Sequence, residues 1–301
     1  MLGKNSKMGG VKYATSSKEW SKLDSLVYNF IKEKIIAYKQ EVELNLELEG
    51  YGNRDVGLAL KYLSKKAPFI HLNTIDIQTN SKKSIFYHSN KTKKELINPI
   101  LQEKIQLIKD YEYISQQCGN WMDQEFIPRS FSNSGFIVEA FRAKNYNFTG
   151  YRGDIDVILN PQGKSDSKIF IEVKNKLSPF RNDDLNIFFS RLVNFKFKII
   201  PIVIARRIYE FPKERLESLK GGYIELNKVL MKEDYKEFSR IYNEKIVPIT
   251  RIIPKNIFPP PDIKTKLQSI MNLNEGIKFS KLPSKIISQK FEKKEYEEDF
   301  F

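Results

Sequence analysis

Three carboxylates and one ammonium group fall within two short apolar runs. The first is Gly153-Asp154-Ile155-Asp156-Val157-Ile158-Leu159. The second, with the 15 residues 157–171 between Asp156 and Glu172, ends Ile171-Glu172-Val173-Lys174. Successive side chains on an extended strand point to opposite faces, so Asp154 shares a face with Asp156, and Glu172 shares one with Lys174. Set side by side, the two runs gather acids and a lysine at one spot. Carboxylates that close repel each other and lose hydration, and a divalent cation is the usual compensation. Hard oxygen donors suit Mg²⁺ or Mn²⁺, while a single cysteine (Cys118) and two histidines (His71 and His88) offer no softer ligand set. The lysine would then stand beside metal-bound water. There it can orient or deprotonate the nucleophile, or offset charge growing on a phosphate.

The elements that must position these residues can be read from the flanking sequence. A turn at Asn160-Pro161-Gln162-Gly163 separates the runs, so they read as paired strands. Phe136 to Phe141 reads as a preceding strand or the end of a helix, and Glu139 within it is a candidate further acid. Asn182-Asp183-Asp184 opens a helix with Leu185, Ile187, Phe188, Phe189, Leu192 and Val193 as its apolar stripe. Lys198 to Ala205 reads as a buried strand and Gly221 to Leu226 as a short one. A closing helix is expected from Asn227.

Gly-Asp-Ile-Asp-Val-Ile-Leu followed by Ile-Glu-Val-Lys, with this order of flanking elements, resembles the PD-(D/E)XK nuclease superfamily and its restriction-endonuclease-like fold. The resemblance spans about residues 130–245. It implies that Asp156 and Glu172 bind the metal, that the Val173 carbonyl completes the shell, and that Lys174 is the catalytic lysine. Glu139 stands where many members carry an extra acid. The first half of the motif reads Ile-Asp here and not Pro-Asp, which removes one distinguishing letter.

Composition agrees with a polyanionic partner. The 301 residues carry 51 Lys and Arg against 37 Asp and Glu, a net charge of +14. Residues 131–290 hold 29 basic and 17 acidic residues, a net +12, so the excess sits in the segment with the motif. Arg142, Lys144, Arg152, Lys176, Arg181, Arg191, Arg206 and Arg207 are its candidate phosphate contacts, with Arg152, Lys176 and Arg181 preferred. One cysteine excludes a disulfide framework and, with two histidines, a zinc finger or Cys/His catalysis. No phosphate-cradling Gly-x-x-x-x-Gly-Lys loop and no Gly-x-Ser-x-Gly elbow is present. The longest apolar stretch, Ile199 to Ala205, is far below the ~20 residues of a spanning helix. The expectation is a soluble cytoplasmic protein with no membrane partner, associated with the nucleoid if prokaryotic.

The N-terminal part reads differently. After a leader at 1–15, Ser16-Ser17-Lys18-Glu19 is a capping box opening a helix from about 17 to 38. A second helix runs from Arg54 to Lys66, followed by alternating residues to Ile77, a basic turn at Asn80-Ser81-Lys82-Lys83, and Ile85-Phe86-Tyr87. Helices followed by a hairpin with a basic tip resemble a winged-helix DNA-binding domain. Arg54, Lys61, Lys65, Lys66, Lys82 and Lys83 are then its DNA contacts, or the solvent face of an amphipathic helix. His71 and His88 flank the hairpin.

The expected architecture is therefore α/β, a mixed central sheet flanked by helices, preceded by a mainly helical domain. Its boundaries are 16–90, a connecting helix at 91–128, a nuclease domain at 129–258, and a Pro-rich linker, short helix and acidic, aromatic tail at 259–301. The expected activity is Mg²⁺- or Mn²⁺-dependent cleavage of DNA. A junction or flap nuclease, a ligand-triggered defence nuclease, and a DNA-binding regulator with an inactive nuclease-like domain remain alternatives. A homodimer is carried as a partner state because two strands need two sites, and the tail as a segment for a protein partner.

Overall fold

The computed structural model describes residues 7–8, 11–12, 17–65, 72–78, 83–143, 155–160, 167–256, 259–271 and 276–288. They divide into two compact units, one formed by residues 1–114 with 237–248, the other by 115–236 with 249–301. Two segments fall elsewhere than the sequence boundaries put them: the first part of the connecting helix and residues 237–248 both belong to the first unit.

The first unit begins with a two-residue antiparallel pair, β1 (Lys7–Met8) and β2 (Val11–Lys12). Helix α1 (Ser17–Glu33) comes next and buries Leu23, Val27 and Ile31 at helical spacing. The expected helix to residue 38 stops early. Ile35 takes a left-handed φ of 65°, which an α-helix cannot continue, and Ile36–Tyr38 becomes strand β3. Helix α2 (Lys39–Leu48) starts at once, with the Glu41 carboxylate accepting the Tyr38 N–H at 3.1 Å. Helix α3 (Asn53–Lys65) packs Val56, Ala59, Leu60 and Leu63 inward. Strands β4 (Leu72–Gln78) and β5 (Lys83–Ser89) then form a hairpin with Gln78 opposite Lys83, and β3 adds to β5, giving the order β3-β5-β4. Ile97, Leu101, Ile105 and Ile108 of the long helix α4 (Lys94–Trp121) join Ile36 and Phe86 in a second cluster. Between α2 and α4 lies a buried ion pair, Lys104 Nζ to the two Glu41 carboxylate oxygens at 2.8 and 2.7 Å.

The second unit is a mixed α/β layer structure. After α4 the chain makes a wide π-helical turn, Met122–Phe126, and a short helix α5 (Ile127–Ser132). The five-stranded sheet has the order β10-β9-β8-β7-β6. Strands β6 (Ile137–Ala143), β7 (Ile155–Asn160) and β8 (Ser167–Lys174) form an antiparallel meander. Helix α6 (Asn182–Leu192) carries the chain over to β9 (Lys198–Ala205), parallel to β8. Helix α7 (Glu210–Ser218) does the same for β10 (Gly222–Glu225). Gly221 makes that second return possible: a Cβ there would lie 2.4 Å from the Pro201 carbonyl oxygen.

The two sheet faces bury different sets. Val157, Ile169, Ile171, Ile200 and Ile202 face Met122, Phe126 and Phe131. Phe170, Ile199 and Val203 face Leu185, Phe188, Phe189 and Leu192 of α6. Helices thus flank the sheet on both sides.

The closing helix expected from Asn227 begins later. Asn227 has a φ of 61°, and Val229–Lys232 is strand β11, paired in parallel with β12 (Thr250–Ile253). Helix α8 (Lys236–Lys245) lies between them in the chain. Pro261 opens helix α9 (Pro261–Met271), the short helix expected after the Pro-rich boundary, and its Ile263 and Ile270 are buried in the sheet core. Helix α10 (Ser284–Ile287) is the last described element, and its chain is clasped by Arg215, which donates to the Ile286 and Ile287 carbonyls.

Candidate functional site

The central strand β8 has an antiparallel neighbour on one side and a parallel one on the other, and its last residues carry the chemistry. Its ladder with β7 runs Leu159↔Ile169, Ile158↔Phe170, Val157↔Ile171 and ends there. One step further the strands part, and Asp156 and Glu172 stand at that step. The Asp156 carboxylate takes over from the ladder: its Oδ2 accepts the Val173 N–H at 2.7 Å. Glu172, only 1% exposed, has both oxygens engaged. Its Oε1 lies 2.5 Å from Lys174 Nζ, and its Oε2 accepts from Arg191 Nη1 of α6 at 2.9 Å. A buried carboxylate without such partners would cost several kcal/mol, roughly, so these two cations are what permits Glu172 there.

The electrostatics are set first by burial and then by neighbouring charge. Burial pushes the Asp156 carboxyl up to about 7, and Glu172 and Asp123 add to the rise, against Lys174 and the Val173 N–H. Burial pulls the Lys174 ammonium down, but Glu172 and Asp156 outweigh it and leave Lys174 above its ordinary value. In this state Lys174 is a cation. That state suits it to offsetting negative charge.

Asp156, Glu172, Val173 and Lys174 are thus brought together, and Glu139 is not. Glu139 sits at a register shift of β6, opposite the far part of β7, where Lys168 holds its carboxylate at 2.8 and 2.5 Å. Asp123, on the π-helical turn, adds to the rise of the Asp156 carboxyl and was missed in the sequence. Its only signal was an acid between two core residues, Met122 and Phe126. Arg191 appeared in sequence only among the dispersed cations. Asn175 was also missed. Buried next to Lys174, it donates its amide to the Leu230 carbonyl at 2.7 Å and accepts the Leu230 N–H at 2.8 Å, tying the end of β8 to β11.

The other candidates are dispersed. Lys176 lies 3.4 Å from Asp184, and the exposed Arg181 precedes α6, its N–H donating to Asp184. Arg206 is buried with its Nε donating to the Leu177 carbonyl, and the Arg207 carbonyl accepts from the Phe180 N–H. Arg54, Lys61 and Lys65 are exposed along α3, together with Leu58 and Tyr62. Lys83 opens β5, and His88 Nδ1 lies 3.0 Å from the Ser89 carbonyl. Lys66, His71, Lys82, Lys144, Arg152 and Asp154 lie outside the described residues. No family model, curated protein or solved structure resembles the chain at a significant level.

Does the site suit a divalent cation? Among the described residues no three His, Cys, Asp or Glu side chains stand together closely enough to cage an ion. The donors Asp156 and Glu172 are nonetheless hard carboxylates, and a cation would offset both the burial that chiefly drives Asp156 up and the repulsion from Glu172 that adds to it. The donor chemistry fits. Among the described residues no helix is long and apolar enough to cross a membrane.

Proposed function

We propose that the chain is a Mg²⁺- or Mn²⁺-dependent endonuclease of the PD-(D/E)XK type that hydrolyses phosphodiester bonds in DNA. The observation that carries this reading is the meeting of Asp156, Glu172 and Lys174 where β7 and β8 part, on a strand with one antiparallel and one parallel neighbour. The order β6, β7, β8, α6, β9 supports the same fold. Asp156 and Glu172 would hold the cation, which when bound supplies an activated water and a counter-charge for the phosphate. Lys174 offsets the negative charge that builds on the scissile phosphate, and Val173 orients Asp156 through its N–H. No role in this chemistry is given to Glu139.

The first unit supports DNA binding. Its order α1, β3, α2, α3, β4, β5 with sheet order β3-β5-β4 supports the reading as a winged helix, in which α3 would enter the groove. Arg54, Lys61 and Lys65 would meet phosphates there, while Leu58 and Tyr62 offer apolar contacts to bases.

One observation favours the rival, a DNA-binding protein without catalysis: both Glu172 oxygens are already held by cations. The deciding experiment incubates the purified protein with plasmid, linear duplex, branched DNA and RNA, in Mg²⁺ and in EDTA. Metal-dependent cutting that disappears in Asp156→Asn and Lys174→Ala, each still folded by circular dichroism and still binding DNA, is the expected result. Cutting undiminished in either variant would sink the assignment, and no product on any substrate would leave the binding protein.

A further inference from the structure

Arg191 holds one oxygen of Glu172, a carboxylate that would bind the cation. It reaches Glu172 from α6, which is anchored by the buried Leu185, Phe188, Phe189 and Leu192, so the contact is set by helix packing. Lys174 is bound to the other oxygen from the same strand and the same face, two residues away. The charged side chains placed at this step are two carboxylates, Asp156 and Glu172, and two cations, Lys174 and Arg191. Ionised, that set sums to zero. A divalent cation takes it to +2, and one phosphodiester lowers it to +1. A loaded site without substrate therefore carries an excess positive charge, with the cation and the Arg191 guanidinium competing for Glu172 Oε2. A guanidinium that yields this oxygen keeps a planar set of donors suited to a phosphate.

We infer that Arg191 stands in for the cation at Glu172 and is handed to the substrate phosphate on loading, so that metal uptake and DNA binding depend on each other. The inference rests on the nuclease reading and goes beyond it. The test is Mn²⁺ uptake by the full-length protein, followed by loss of the free Mn²⁺ paramagnetic resonance signal, with and without a nuclease-resistant phosphorothioate duplex. Wild type, Arg191→Gln, Arg191→Lys and Glu172→Gln are compared, with folding checked by circular dichroism.

Wild type is expected to bind Mn²⁺ weakly alone and more tightly with duplex. Arg191→Gln should bind Mn²⁺ at least about tenfold tighter without duplex, the scale of one charge-assisted hydrogen bond, yet lose the duplex effect and cleave more slowly. Arg191→Lys should keep part of the coupling. Unchanged or weaker Mn²⁺ binding in a folded Arg191→Gln would overturn the inference while leaving the nuclease reading in place. Wild type that takes up no Mn²⁺ under either condition, and is indistinguishable from Glu172→Gln, would overturn both.

Discussion

At the scale of residues, Asp156 makes a pH prediction whose sign can be worked out. Its carboxyl is held near 7 in the folded protein, above its ordinary value of 3.8. The folded state therefore holds that proton more tightly than the unfolded chain does, and the stability this confers is present below about pH 4 and lost as pH rises through 7. At about 1.4 kcal/mol per pH unit, the loss has an upper bound of about 4 kcal/mol. Metal-free protein should melt at progressively lower temperature from pH 5 to 8, and Asp156→Asn should flatten that slope. Mn²⁺ competes with the proton and should restore stability at the upper end; an unchanged wild-type slope in Asp156→Asn would refute the assignment. That Asp156, Glu172 and Lys174 meet was legible because alternation on two apolar strands sets faces, while the choice of Asp156 over Asp154 rested on the family resemblance. Sequence alone misplaced Glu139, because alternation fixes a face and says nothing of the level along the strand, which the register shift at Val138 and Ala140 sets.

At the scale of elements, what was legible tracked the strength of the local pattern. The unbroken apolar run from Ile199 to Ala205 and the stripe of α6 were both readable, since burial on two faces and on one helical face leave distinct patterns. Ile36–Tyr38 and Val229–Lys232 were not. Three or four residues give no periodicity, and in each case a helix lies close by; left-handed residues at Ile35 and Asn227 mark the breaks. β11 matters for the site because Leu230 receives Asn175. Replacing Asn175 by Ala leaves the N–H and carbonyl of Leu230 without these partners and should cost about 2–3 kcal/mol in chemical denaturation. If the joint only holds β8 to β11, that loss of stability should come with intact Mn²⁺ uptake. If it also sets Lys174, cleavage by the folded fraction should fall too.

At the scale of the whole molecule, the net +14 predicts DNA binding that is strongly dependent on salt. Log affinity for a duplex should fall linearly with log salt, and Lys61→Ala and Lys65→Ala should each reduce the slope by about one if each meets a phosphate. A slope unchanged in both variants would remove α3 from the interface. The two-unit division was legible only in outline. The sequence shows a change from helical to strand patterning near Phe136, but not that residues 237–248, far along the chain, fold with the first unit.

The wide turn at Met122–Phe126 bears on how this chain can change over generations. A π-helical turn winds one residue more than an α-helical turn, so it sets the rotation between the end of α4 and the start of α5. Losing one residue there would let the backbone relax to ordinary pitch and swing α5 and the chain beyond it by about 100°. Asp123 and the apolar side chains Phe126 and Phe131 could then no longer all point at the sheet. Polar substitutions at the exposed Gln124 should leave the fold intact, whereas a single-codon deletion between Met122 and Phe126 should be lethal to it. Length, more than identity, is what inheritance has to preserve in this stretch.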